Sequence, residues 1–337
     1  MRIGVLVRDR DQVSLRVYRE NILARLPAAG VTPVPFRERG PLPDDCDATW
    51  DPGLGMRRVP AILGRVTGPL VVTCHGARTF SLDPREIAPT WRHLLRERLR
   101  RWLVARRWRT LGPRANAVIA VSHFAAAEVG GAFNLPAAKM HVIYHGYDRT
   151  IFTPSAPDAP VPERPYLLHV SSGGPVKNVP TLLEAYARLP EADRPDLVLV
   201  LSRDRPPRGA REMPGVRVID RAVQPECLAN LYRGATAFVF ASLRESFGLP
   251  IVEAMACGCA VITADGSACA EVAADAALRV DPRSTDALAA AMRAMYTDLT
   301  VRQSAIEKGL RRAERFSWDA SAAAHAEVFR QVTTARP

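Results

Sequence analysis

The sequence predicts an α/β protein built as two successive halves, each organised around a parallel sheet. Short apolar runs of strand length alternate with helical segments along the chain, which is the pattern of strands joined by crossover helices. The alternation stops at one proline-rich stretch and then begins again. The length of 337 residues also suits two domains of ordinary size better than one core.

In the first half, residues 3–7 (IGVLV) read as the opening strand and 17–26 as a helix. Residues 70–73 and 118–121 are two more apolar strands. Ser122 follows the second of these as an N-cap, since its hydroxyl can accept from the first helical N–H groups, and a helix is expected over 124–130. A short strand at 142–144 precedes the turn His145-Gly146-Tyr147-Asp148. The stretch 153–165, TPSAPDAPVPERP, holds five prolines and cannot sustain a ladder or a helix, because proline has no N–H to donate. The second half restarts with a strand at 166–170, a helix at 181–189, strands at 197–201 and 216–219, and a helix at 226–234. A strand at 237–241 then leads into the most informative segment of the chain. The expected division is 1–150, a linker at 151–165, a second domain at 166–315 and a closing helix at 316–337.

Composition excludes several classes. Apolar residues make up 47% and charged residues 24%, as in globular proteins with an aqueous surface. No signal-peptide pattern opens the chain and no apolar run approaches a membrane span, so a cytoplasmic protein is expected. The six cysteines are scattered; Cys257 and Cys259 are too close for a zinc knuckle and no second pair exists, so free thiols and no metal are expected. No cofactor is expected either. Charge is uneven: residues 1–150 carry 24 Lys and Arg against 13 Asp and Glu, whereas 151–337 carry 22 of each. The excess of +11 therefore belongs to the first half, whose partner should be anionic or lie at an anionic surface.

Residues 241–264, ASLRESFGLPIVEAMACGCAVITA, place Glu245 and Glu253 eight positions apart with Phe247-Gly248-Leu249-Pro250 between them. A buried strand precedes this loop and a helix follows from 251 to 256, with Pro250 at its start and Gly258 suited to end it. The N–H groups at such a helix start lack intrahelical partners and bind anions well. Carboxylates beside them can accept from sugar hydroxyls. A nucleotide sugar offers phosphate for the first and hydroxyls for the second.

The run ESFGLPIVEAMACGCA, with the downstream CAVITADGSACAEVAADAALRVDP, resembles the Glu-x7-Glu signature of the family 4 retaining nucleotide-sugar glycosyltransferases. IAVSHFAAAEVGGAFNLPAAKMHVIYHGYDRTIFTP is similar to the end of that family's acceptor domain, and FSWDASAAAHAEVFRQV to its closing helix. The resemblance covers nearly the whole chain. It implies a GT-B fold, two Rossmann-like domains facing across a cleft, with the C-terminal helix packing back on the N-terminal domain. It also implies retaining transfer of a sugar from a nucleotide diphosphate donor on one face, without a metal.

On this resemblance Glu253 takes the ribose hydroxyls and Glu245 the transferred sugar, while the backbone of Phe247, Gly248 and Leu249 faces the diphosphate. Lys177 lies after the strand at 166–170 and a loop carrying Gly173 and Gly174, and resembles the family's diphosphate lysine. The family's neighbouring arginine is missing, since Ser172 and Val176 occupy its places; Arg244 is the candidate substitute. His75, at the end of the strand at 70–73, resembles the family's cleft histidine. His123, His145 and His169 are read as structural. The glycine-rich turn usual after the first strand is replaced by residues 8–14, RDRDQVS, leaving Ser14, Arg16 and Tyr18 as polar groups on the acceptor side.

Residues 91–109, WRHLLRERLRRWLVARRWR, hold eight arginines and one glutamate, with Trp91, Leu95, Leu99 and Trp102 at helical spacing. The favoured expectation is that this stripe is buried in the first domain. The alternative is a basic helix resting on an anionic bilayer, with the chain peripheral at the inner membrane face. Nucleic acid has no supporting motif. Rival functions are a sugar-nucleotide epimerase, a phosphorylase whose pyridoxal would need Lys139, Lys177 or Lys308, and a non-catalytic sugar-binding protein.

Overall fold

The computed structural model describes residues 1–8, 13–54, 62–77, 80, 83, 90–155, 161–202 and 206–334. Most of the turn at 8–14, part of the linker and residues 203–205 of the loop after the strand at 197–201 lie outside this set. The chain forms two compact units, Met1–Gly146 with Ser317–Pro337, and Tyr147–Phe316.

The first unit carries β1 (Arg2–Val7), β2 (Thr32–Arg37), β3 (Ala48–Leu54), β4 (Leu70–Cys74), β5 (Ala117–Ala120) and β6 (Met140–Val142). All pairings are parallel, in the order β2-β1-β3-β4-β5-β6. Its helices begin with α1 (Val13–Arg25), α2 (Ile62–Arg65), α3 (Trp91–Leu111) and α4 (His123–Phe133). Strands β4 and β5 are buried along their whole length, hence their unbroken apolar sequences. Ser122 caps α4 as expected, its Oγ accepting from the Ala125 N–H at 2.9 Å.

Two strands of the first unit have no counterpart in the sequence reading. β2 contains Pro33 and Pro35, which argue against a strand, yet it lies at the sheet edge. Thr32 donates its N–H to Met1 O at 2.8 Å. The N atoms of a parallel strand alternate in direction, so both prolines turn their N away from β1 and forfeit no ladder bond. β3 hides behind Asp51, Pro52 and Gly53, and its register with β4 shifts between Asp51 and Leu54.

α3 departs from expectation more sharply. Val104 and Trp108 face the core, Trp108 stacking on Phe133 at 4.9 Å. The stripe expected to be buried is instead exposed: Trp91 70%, Leu95 62%, Leu99 57% and Trp102 56%.

The second unit carries β7 (Tyr166–Ser171), β8 (Asp196–Leu201), β9 (Val216–Ile219), β10 (Ala237–Phe240), β11 (Val261–Ala264) and β12 (Leu278–Val280), in the parallel order β12-β11-β10-β7-β8-β9. Around it lie α5 (Val179–Ala187), α6 (Pro225–Gly234), α7 (Leu249–Ala256), α8 (Ser267–Ala273), α9 (Thr285–Thr297) and α10 (Leu299–Ala313). Leu167, Leu199, Val239 and Ile262 from the four central strands join Leu182, Leu288 and Met292 in one core.

The closing helix α11 (Trp318–Thr334) belongs to the first unit, as the family resemblance implies. A directed hydrogen-bond chain fastens it. His325 Nδ1 lies 2.7 Å from Ser321 O, and a carbonyl only accepts, so Nδ1 carries the proton and Nε2 accepts from Tyr18 Oη at 2.6 Å. Thr73 Oγ1 then donates to Tyr18 at 3.0 Å and accepts from Trp50 Nε1 at 2.9 Å. Gly146 permits a close backbone approach here, because a Cβ on it would stand 2.1 Å from Trp318 N.

Candidate functional site

In open parallel sheets, ligands bind beyond the carboxyl ends of the strands where the chain reverses its direction of winding. In the second unit that point lies between β7 and β10: the chain runs outward from β7 to β9 and then returns to place β10 on the other side. Lys177, Gly173 and Gly174 follow β7, and Glu245, Phe247, Gly248 and Leu249 follow β10. The sequence positions expected to share a ligand are thus on the two loops that the topology makes neighbours.

The glycines are there for backbone reasons. Gly173 and Gly174 have φ of 81° and 86°, conformations that a side chain makes costly. Ser171 Oγ accepts from the Gly173 N–H at 3.2 Å and lies 3.0 Å from His169 Nε2. His169 Nδ1 donates to Val239 O at 2.9 Å, so its Nε2 is the acceptor for the Ser171 hydroxyl. His169 is therefore a neutral brace for the glycine loop, and burial pushes its pKa down to about 4.

Lys177 and Glu245 meet directly. Their Nζ and Oε1 atoms are 2.5 Å apart, with side chains 16% and 11% exposed. The lysine also stands over the Phe240 ring at 5.1 Å. Sequence reasoning gave these two residues separate partners and missed their pairing. Glu245 is held in turn by its backbone N–H, which donates to Ser267 Oγ at 3.3 Å. Asn178, at φ 59°, ties the lysine turn to the sheet by donating from Nδ2 to Ala241 O at 3.1 Å and Pro282 O at 2.6 Å.

Gly248 caps α7 at φ 100° and Pro250 occupies its first turn, so the Leu249 N–H has no acceptor within the helix. The Phe247 ring is buried against Phe316 at 5.7 Å and walls the loop. Arg244 is half-buried beside Glu245 in the same loop. Gly258, at φ 72°, ends the helix as expected. Glu253 lies half-buried within α7, where burial pushes its carboxyl up to about 7; its polar neighbour is Tyr232 Oη at 3.5 Å.

In the first unit the corresponding reversal is between β1 and β3. There Arg8 forms a bidentate pair with the buried Asp51, at 2.7 Å to each carboxylate oxygen. Nothing in the sequence signalled this pair, since the strand that carries Asp51 was itself not legible there. His75, at the end of β4, donates from Nε2 to Pro52 O at 2.9 Å, which leaves Nδ1 as an acceptor. Burial lowers its pKa to about 4, so it is a neutral hydrogen-bonding group and not a cation at neutral pH. Ser14 and Arg16 are exposed on α1. Tyr18 must be corrected: it is 1% exposed with its hydroxyl consumed by Thr73 and His325, so it is core and not an acceptor contact.

Two units of this kind are the fold of the GT-B glycosyltransferases. Sucrose-phosphate synthase from Thermosynechococcus elongatus superposes with a TM-score of 0.77 at 19% identity, over 99% of this chain and 100% of that one. The Anabaena protein HepE in complex with UDP and glucose gives 0.73 at 16% identity, over 98% and 100%. Residues 164–298 match the family described as glycosyl transferases group 1, and residues 48–151 match glycosyltransferase family 4. The chain belongs to this family of glycosyltransferases. Among its relatives, the O-antigen chain mannosyltransferase B of Escherichia coli is 33% identical over 223 residues, covering 61% of this chain and 58% of that protein.

Proposed function

We propose that this protein is a retaining, metal-independent glycosyltransferase that moves one sugar from a nucleotide diphosphate donor to an acceptor. The observation that carries this reading is the convergence of Lys177, Glu245 and the Gly173-Gly174 loop at the winding reversal of the second unit. HepE, which shares the fold, is in complex with UDP and glucose, in keeping with a nucleotide-sugar donor for this chain.

In this reading the second unit holds the donor. Glu253 accepts from the ribose hydroxyls and Glu245 from the transferred sugar. Lys177 and the N–H groups at the start of α7 stabilise the diphosphate as its bond to the sugar breaks, which is where electrostatic stabilisation contributes most. Before the donor binds, Glu245 neutralises Lys177; a diphosphate is the stronger anion and competes for that ammonium, freeing the carboxylate for sugar hydroxyls. The leaving phosphate takes the acceptor's proton, so no protein nucleophile is required. His75 presents its Nδ1 lone pair to a hydroxyl on the acceptor side. The excess positive charge of the first half fits an acceptor that is anionic or held at an anionic surface.

Proton NMR of the product tests the stereochemistry: the donor's anomeric configuration should persist, and turnover should survive a chelator. An inverted centre would sink the same-face mechanism.

A further inference from the structure

We propose that the outer face of α3 docks the protein onto an anionic bilayer, lying parallel to its surface. Among the described residues no helix is long and apolar enough to cross a membrane, so the contact is one of lying on and not of spanning. The face is built from Trp91, Leu95, Leu99, Trp102 and Leu103, which are 70%, 62%, 57%, 56% and 47% exposed. At about 3.6 residues per turn they fall on one side of the helix, and Trp91 to Leu103 extends about 18 Å. Leu299 is the one large aliphatic residue elsewhere with comparable exposure among the described residues, so this is a clustered patch and not scattered surface.

The charges identify the occupant. Arg92, Arg96 and Arg98 border the stripe, and Arg106 and Arg109 continue it; all five are exposed. Arg92 lies 5.4 Å from the Trp91 ring centre and Arg106 5.5 Å from that of Trp102, so cation and indole sit at the same level, as they do at a headgroup boundary. The helix's single acid, Glu97, is on the inward side with Val104 and Trp108, held by Arg100 at 2.8 Å and Arg101 at 3.3 Å. The outward face is therefore apolar and cationic without an anion. A second copy does not complement it, because a two-fold contact would set the arginines of one face against the same arginines of the other. A bilayer with anionic headgroups over hydrocarbon satisfies both parts of the face.

The test is flotation of the full chain with vesicles of phosphatidylcholine alone and of phosphatidylcholine with phosphatidylglycerol in equal parts. The unmodified chain should float with the anionic vesicles and not the neutral ones. Two variant sets, Leu95→Gln with Leu99→Gln and Trp102→Gln, and Arg92→Gln with Arg96→Gln and Arg106→Gln, should each lower partitioning at least tenfold. A second measurement needs no substitution: lipids brominated near the headgroup should quench tryptophan emission, because Trp91 and Trp102 are exposed while Trp50, Trp108 and Trp318 are buried. Flotation independent of lipid charge, or absent quenching, overturns the proposal. So does self-association that the apolar variants abolish without any vesicle binding.

Discussion

If Glu253 holds the donor's ribose as proposed, its protonation couples stability to nucleotide binding in one side chain. Its carboxyl is pushed from the ordinary 4.5 up to about 7 by burial, with only the long contact from Tyr232 favouring the charge. In the proposed role Glu253 accepts from both ribose hydroxyls, one at each oxygen, and only the ionised carboxylate offers two acceptor oxygens without a competing O–H. With a pKa of about 7, roughly one molecule in eleven is ionised at pH 6 and ten in eleven at pH 8. Nucleoside diphosphate affinity should therefore rise about tenfold across that interval, or about 1.4 kcal/mol. The diphosphate's own last ionisation also falls near this range, so the informative quantity is the difference between the unmodified chain and Glu253→Gln, measured by calorimetry at pH 6, 7 and 8. The sign for stability is opposite. A folded pKa above the unfolded one stabilises fully below about 4.5 and loses that contribution as pH rises through about 7. At pH 8, Glu253→Gln should thus raise the ligand-free stability, by up to roughly 3 kcal/mol, while weakening nucleotide binding. If the two proteins show parallel pH profiles of affinity, the ribose assignment is wrong.

Two further expectations concern the ion pair and the buried histidines. Lys177→Ala should lower kcat by about 10²–10³, the usual cost of one donor to a developing oxyanion, and destabilise by about 1–3 kcal/mol through the stranded Glu245. Adding Glu245→Gln should restore most of that stability and none of the activity, so recovered turnover in the double variant would contradict the assigned roles. In the first unit, burial depresses His75 and His325 to about 4 and His145 well below 6.5. Their contribution is complete above about 6.5 and is lost as pH falls toward 4, at roughly 3 kcal/mol for each group at about 4. All five tryptophans lie in this unit, so tryptophan fluorescence should report acid loosening beginning below pH 6.5. His325→Gln should shallow that pH dependence, and an unchanged profile would show that these histidines do not govern it.

The clearest local signals were backbone ones. Pro250 marks the start of α7, Gly258 its end and Ser122 the cap of α4, because each of these residues has a conformational or hydrogen-bonding reason to be there. Apolar runs such as those of β4 and β8 were legible because strands buried on both faces need no polar alternation. β2 and β3 were not, since Pro33, Pro35 and Asp51 contradict strand propensity; only the edge position of β2 and the guanidinium of Arg8 make them tolerable. The α9 and α10 helices likewise fell in a stretch to which the sequence reading assigned no element.

What the sequence determined by itself was the alternation of strand and helix, the restart after the proline-rich stretch, the family signature around Glu245 and Glu253, and the seat of the positive charge. Each is a property of neighbours along the chain, so it can be read there. Only the tertiary structure decided that Lys177, 68 positions from Glu245, is its ion partner, that Tyr18 is spent on a helix 307 positions away, and that the α3 stripe faces outward. The physical reason is common to all three. A side chain's partner and its exposure depend on which surfaces the sheets and helices bring together, and helical spacing specifies that a face is apolar without specifying what covers it.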